Sequence, residues 1–118
     1  MREIKSAVIG CGLISKNHLK ALRNVEGARC GAVCDIVREK AEAAAGAYSE
    51  NGEIQIYEDY HELLRDGDIE VVHICTPHHL HADMAVEALL RGKHVLCEKP
   101  MALTADDAKR MIKARDES

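Results

Sequence analysis

The chain has no tryptophan, no phenylalanine and only three tyrosines among 118 residues. Aromatic stacking on unpaired bases is therefore not available to it. A positive excess is missing too. Sixteen Lys and Arg stand against 20 Asp and Glu, a formal charge of −4, which leaves no basic face for a nucleic-acid backbone. No apolar run is long enough to span a bilayer. The start, Met1-Arg2-Glu3-Ile4-Lys5, leads straight into a strand pattern without the apolar core of a signal peptide. Internal repeats, linkers and low-complexity stretches are absent as well. With 47% apolar and 31% charged residues, what remains is an ordinary globular composition, enough for one core and one domain but short for a complete two-substrate enzyme.

The five cysteines, Cys11, Cys30, Cys34, Cys75 and Cys97, are odd in number and form no Cys-x-x-Cys pair. Four lie in or beside strongly apolar runs. The expectation is reduced, buried thiols in a cytoplasmic protein rather than a disulfide framework.

Strand-like and helix-like segments alternate along the chain. Ala7-Val8-Ile9 is an apolar run that stops at Gly10, and Leu13 to Asn24 has helical spacing. Gly31 to Cys34 reads as a second buried strand ending at Asp35. Arg38 to Ala47 is rich in Ala, Glu and Lys, all strong helix formers. Ile54 to Tyr57 is a short strand, and Tyr60 to Arg65 a short helix closed by Asp66-Gly67-Asp68. Val71 to Cys75 (strand) is followed by His78 to Arg91 (helix), with Gly92 just past its end. His94 to Cys97 is the fifth strand. Thr104-Ala105-Asp106-Asp107 reads as a helix start, with acids at the positive end of the dipole, and that helix runs to about Arg115. Apolar strands without polar alternation, separated by helices, predict an α/β fold: a doubly wound parallel sheet of Rossmann type, order 3-2-1-4-5.

Gly10-Cys11-Gly12-Leu13-Ile14-Ser15 follows the first strand and opens the first helix. Gly10 permits a tight turn. Gly12 lacks a Cβ, so a pyrophosphate can lie against the backbone, and the helix start offers free N–H groups to the anion. Ser15 is small enough for close strand–helix packing. The alternative is a plain glycine turn, but the placement between strand and helix favours the phosphate loop. Asp35 ends the second strand, 23 residues after Gly12, where an acid is expected to bind the adenosine ribose hydroxyls. A carboxylate there repels a 2′-phosphate. At ~4 Å and an effective dielectric of about 20, two like charges cost on the order of 4 kcal/mol before screening. NAD is therefore expected over NADP. Arg38 tempers that preference, by offsetting the repulsion or by stacking on adenine. Asp35 can also serve as a helix N-cap.

Two further strand ends are chemically loaded: Cys75-Thr76-Pro77-His78-His79-Leu80-His81 and Glu98-Lys99-Pro100. Ligands in such sheets lie at the carboxyl ends of the strands. A Lys99 ammonium aimed into that cleft can hydrogen-bond a substrate hydroxyl, hold a catalytic base or stabilise charge developing on oxygen. Pro100 holds Lys99 in extended backbone conformations. The bland alternative is a nearly neutral surface Glu–Lys pair.

Gly10-x-Gly12 after a strand, Thr76-Pro77 followed by His81, and the segment from Gly92 to Pro100 together resemble the glucose–fructose oxidoreductase / inositol dehydrogenase (Gfo/Idh/MocA) family. The resemblance runs over essentially the whole chain. It implies an NAD(P)-dependent oxidoreductase acting on a sugar, polyol or derivative. It implies cofactor contacts from Gly10, Cys11, Gly12, Leu13, Ile14, Asp35, Arg38, Cys75, Thr76, Pro77, His78, His81, Glu98 and Lys99, with Lys99 as the active-site lysine. Family members are roughly three times this long against a usual domain size. Their second domain supplies a catalytic His, most substrate contacts and the sheet of the homo-oligomer. The chain is accordingly expected to be a truncated cofactor domain, 1–118, lacking a sixth strand and the α+β substrate domain, and inactive alone.

Seven histidines invite a metal reading. His78, His79 and His81 cluster near a helix start, where the dipole keeps the rings neutral. His78 and His81 share a face but His79 points elsewhere, so tetrahedral convergence is not expected and no metal is assigned. His18, on the first helix, is expected to reach the cofactor cleft. His61 and His73 are expected to be structural or solvated, and His94 to pack at a strand start. The resemblance also suggests a glycoside hydrolase using tightly bound NAD, which shares every one of these residues; a non-catalytic nucleotide-sensing module is the other alternative, binding NAD with no role for Lys99.

Overall fold

The computed structural model describes residues 4–12, 14–49, 52–76, 80–97 and 105–117. β1 (Ile4–Ile9) finishes in Ala7, Val8 and Ile9, each buried. A strand apolar on both sides needs cover on both faces, and the remaining elements supply it. β1 pairs in parallel with β2 (Ala28–Cys34) on one side and β4 (Val71–Ile74) on the other. β3 (Gln55–Tyr57) adds beside β2, and β5 (His94–Cys97) beside β4. The order is β3-β2-β1-β4-β5, as the alternating pattern predicts.

α1 (Ser15–Asn24) and α2 (Arg38–Tyr48) cover one face. Leu19 and Leu22 of α1 and Ala41, Ala44 and Ala45 of α2 meet Val8 and Val33 there. α3 (Tyr60–Leu64), α4 (His81–Leu90) and α5 (Ala105–Glu117) cover the other. Leu63, Leu64, Met84, Ala85 and Met111 meet Ala7, Ile9, Val72 and Ile74 in that layer. Each buried Leu or Ile contributes on the order of 1.5–3 kcal/mol of transfer free energy. Alternate residues of one strand thus feed opposite layers, which is the period-2 geometry of β structure.

Several boundaries differ from the apolar pattern. β1 and β2 begin earlier, at Ile4 and Ala28, because ladder pairing such as Ile4↔Ala28 and Lys5↔Arg29 continues through residues that are not buried. β4 ends at Ile74, although the Cys75 N–H still donates to the Ile9 carbonyl at 2.8 Å. α1 runs from Ser15 and α4 from His81; the expected starts, Leu13 and His78, lie outside the described residues. The expected Thr104 cap lies outside the described residues, but Asp106 and Asp107 do occupy the first turn of α5.

At the amino ends of β4 and β5 the Lys93 ammonium is buried. It donates to the Asp66 carbonyl at 2.8 Å and the Ile69 carbonyl at 2.9 Å. That clamp ties the turn after α3 to the start of β5 and leaves the opposite, carboxyl ends of the strands to the site.

Candidate cofactor site

The chain leaves β1 through Gly10, whose φ of +93° is open to glycine and costly for other residues. A Cβ there would stand 2.8 Å from the Cys75 carbonyl carbon and oxygen and from the Thr76 nitrogen. The loop therefore presses directly on the backbone that leaves β4. Gly12 is the opposite case: a Cβ built on it meets nothing within 4 Å. Its bare Cα faces open space beside the α1 N-terminus, the cradle a diphosphate requires. Ser15 is 1% exposed, and its hydroxyl donates to the Gly12 carbonyl at 2.6 Å. The small residue expected for packing thus also fastens the loop. Ile14, immediately before α1, is exposed, and Leu13 lies outside the described residues.

Asp35 follows β2. Its Oδ2 accepts the Cys11 N–H at 2.9 Å, joining the acid to the glycine loop. Its Oδ1 accepts the Val37 N–H at 2.9 Å. The expected N-cap role is corrected here: the residue before α2 is Val37, and Asp35 stands two residues upstream in an Asx turn. A carboxylate offers about four lone-pair positions, of which two are used, so acceptors remain for two ribose hydroxyls. Arg38 does not reach over the acid. Its Nε donates to Glu42 at 2.9 Å and its guanidinium lies 3.7 Å from Glu58, an exposed arrangement of little energetic weight. Sequence reasoning passed over Ile36, which is 88% exposed directly beside Asp35. An apolar residue after the acid at a strand end was the available signal.

After β4, Cys75 and Thr76 are half-buried, and the Thr76 hydroxyl donates to the Met84 sulfur at 3.3 Å. His81 is fully buried, its Nε2–H donating to the Thr76 carbonyl at 2.7 Å. The buried ring thus holds the Thr76 backbone at the carboxyl end of β4. Pro77, His78, Glu98 and Lys99 lie outside the described residues.

Three thiols are held protonated. Burial, followed by the Asp35 charge, pushes Cys11 up to about 12. Burial and the neighbouring Cys11 do the same for Cys34, also to about 12, and burial takes Cys30 to about 11. Cys11 also donates through Sγ to the Cys34 carbonyl at 3.5 Å. His18, expected to reach the cofactor cleft, meets a second histidine. Its Nδ1 lies 2.9 Å from Nδ1 of His73, with the rings edge to face at 83°. Burial and then His18 lower His73 to about 4. Among the described residues no three metal-ligating side chains converge, and no helix is long and apolar enough to cross a membrane.

A glycine loop between β1 and α1, an open Cα in its middle and an acid hydrogen-bonded to it from β2 define a dinucleotide-binding domain of the doubly wound class. The sequence pattern of the oxidoreductase family with an NAD-binding Rossmann fold matches residues 4–118, and the chain belongs to that family. It is 45% identical over 116 residues to inositol 2-dehydrogenase of Salmonella typhimurium, an alignment that takes in 98% of this chain and 34% of that protein. The WlbA dehydrogenase of Bordetella pertussis, solved with NADH and UDP-GlcNAcA, superimposes with a TM-score of 0.90 at 36% identity, covering 98% of this chain and 35% of that one. The 3-ketoreductase KijD10 of Actinomadura kijaniata, solved with NADP, gives a TM-score of 0.88 at 29% identity over 98% of this chain and 35% of the other. The chain thus spans about a third of the length of these relatives.

Proposed function

We propose that this chain is the cofactor-binding part of a longer cytoplasmic, homo-oligomeric dehydrogenase. It binds NAD in preference to NADP and serves hydride transfer to or from a polyol or sugar. The observation that carries this reading is the Asp35 carboxylate joined to the Cys11 N–H, which places an acid and an open glycine cradle side by side. In this arrangement the amides around residues 10 to 15 hold the diphosphate and Asp35 holds the adenosine ribose. Ile36 offers an apolar surface to the adenine, and Cys75 and Thr76 line the path toward the nicotinamide. When bound, the nicotinamide supplies the hydride-accepting or hydride-donating carbon. Lys99 is the residue we assign to the substrate hydroxyl, and Pro77 and Glu98 those we assign to the nicotinamide side. The names of the relatives support a polyol or sugar substrate, inositol being the first to test.

The test is a pair of titrations, NAD and NADP, against the chain and against Asp35→Ala. The parent should bind NAD more tightly, and the variant should narrow the gap. Equal affinities in the parent would end the selectivity claim, and no binding of either dinucleotide would end the functional reading.

A further inference from the structure

His73 lies in β4, in register with Val8 of β1 on one side and Leu96 of β5 on the other. Its neighbours Val72 and Ile74 point into the layer under α3 and α4, so His73 points to the α1 face. α1 itself packs over β1 and β2. The 2.9 Å Nδ1···Nδ1 contact with His18 therefore reaches from the helix to a strand beyond the two it covers. With both nitrogens this close, one carries the proton and the other the lone pair, so the two rings must adopt opposite tautomers.

The elements joined in this way carry the two halves of the candidate site. α1 begins at the glycine loop, which faces the diphosphate. β4 runs into Cys75 and Thr76, on the nicotinamide side. We propose that the His18–His73 pair is a positioning bridge that sets the spacing between the phosphate-binding end of α1 and the strand end lined by Cys75 and Thr76. It thereby favours ligands that span both. This rests on the reading of the site as dinucleotide-binding. Neither ring needs to touch the ligand. Its effect is to remove freedom in α1 relative to β4 before binding, which spares the ligand that ordering cost.

The experiment compares two ligands of different reach. ADP carries the adenosine ribose and the diphosphate but no nicotinamide riboside, so it tests the loop and Asp35 alone. NAD tests both ends. In the 118-residue chain, His18→Leu and His73→Leu should each weaken NAD about five- to tenfold, the equivalent of one net hydrogen bond, while ADP stays within about twofold. The double variant should be no weaker than either single one. His18→Asn, whose amide stands near the Nδ1 position, should restore most of the NAD affinity. Nitrogen-15 spectra of the parent imidazoles should show one ring protonated at Nδ1 and the other at Nε2. Equal loss of ADP and NAD in the Leu variants would reduce the pair to general stability and overturn the proposal. So would unchanged NAD affinity, failure of the Asn variant to rescue, or two identical tautomers. Failure of the parent to bind NAD at all would overturn the dinucleotide reading instead.

Discussion

Gly10 and Gly12 are two residues apart, and alanine at each should do opposite things. At position 10 alanine must hold a φ of +93° and place a Cβ 2.8 Å from three backbone atoms of Cys75 and Thr76. The left-handed conformation costs about 1–2 kcal/mol and the forced backbone shift about 1–3 more. Gly10→Ala should therefore lose about 2–5 kcal/mol, a large part of the 5–15 kcal/mol typical of a domain. At position 12 the Cβ meets nothing within 4 Å, and stability should stay within about 0.5 kcal/mol. The same methyl stands where the diphosphate belongs. Overpacking of about 1–3 kcal/mol should weaken NAD roughly 5- to 150-fold. Urea unfolding read by circular dichroism gives the first quantity and calorimetric NAD titration the second. If Gly12→Ala binds NAD as the parent does, or Gly10→Ala unfolds at the parent's urea midpoint, the geometric account of the loop is wrong.

Three further outcomes follow from the same structure. Asp35→Ala removes an acceptor shared by the Cys11 and Val37 amides, so beyond narrowing the NAD/NADP gap it should cost about 1–3 kcal/mol in urea midpoint analysis. His73 is lowered to about 4, so the unfolded chain binds its proton more readily and stability should fall as pH drops from about 6.5 toward 4. Discounted for solvent around a half-buried ring, this amounts to about 1 kcal/mol between pH 7 and 5, and His73→Leu should flatten that slope. Lys93→Met would remove the donor to the Ile69 carbonyl and leave the Asp66 carbonyl with the Ile69 N–H alone, at a cost of about 1–3 kcal/mol, with the NAD-to-ADP affinity ratio unchanged because the clamp lies at the far end of the sheet.

The architecture was legible because it depends on order and apolarity along the chain. His94 to Cys97 came out residue for residue, and the sheet order followed from the handedness of crossovers. The glycine loop and Asp35 were legible because their spacing reports a local turn and one strand's length. What escaped depends on how elements rotate against one another. The meeting of His18 and His73 requires the azimuth of α1 above the sheet, which no local pattern records. Arg38 pairs with Glu42, one helical turn on and open to a periodicity argument, and also with Glu58, twenty residues on and invisible to it. The bond from buried His81 to the Thr76 carbonyl is likewise set by packing that the motif does not record.

In β1, Val8 belongs to the layer under α1 and α2, while Ala7 and Ile9 belong to the layer under α3 and α4. The strand is a common spine, and neither half can melt without stripping it. Amide exchange should accordingly be slowest at residues 7 to 9, whichever half is perturbed. Release of a bound dinucleotide must then proceed by yielding of the loops above the sheet, with the sheet itself left zipped.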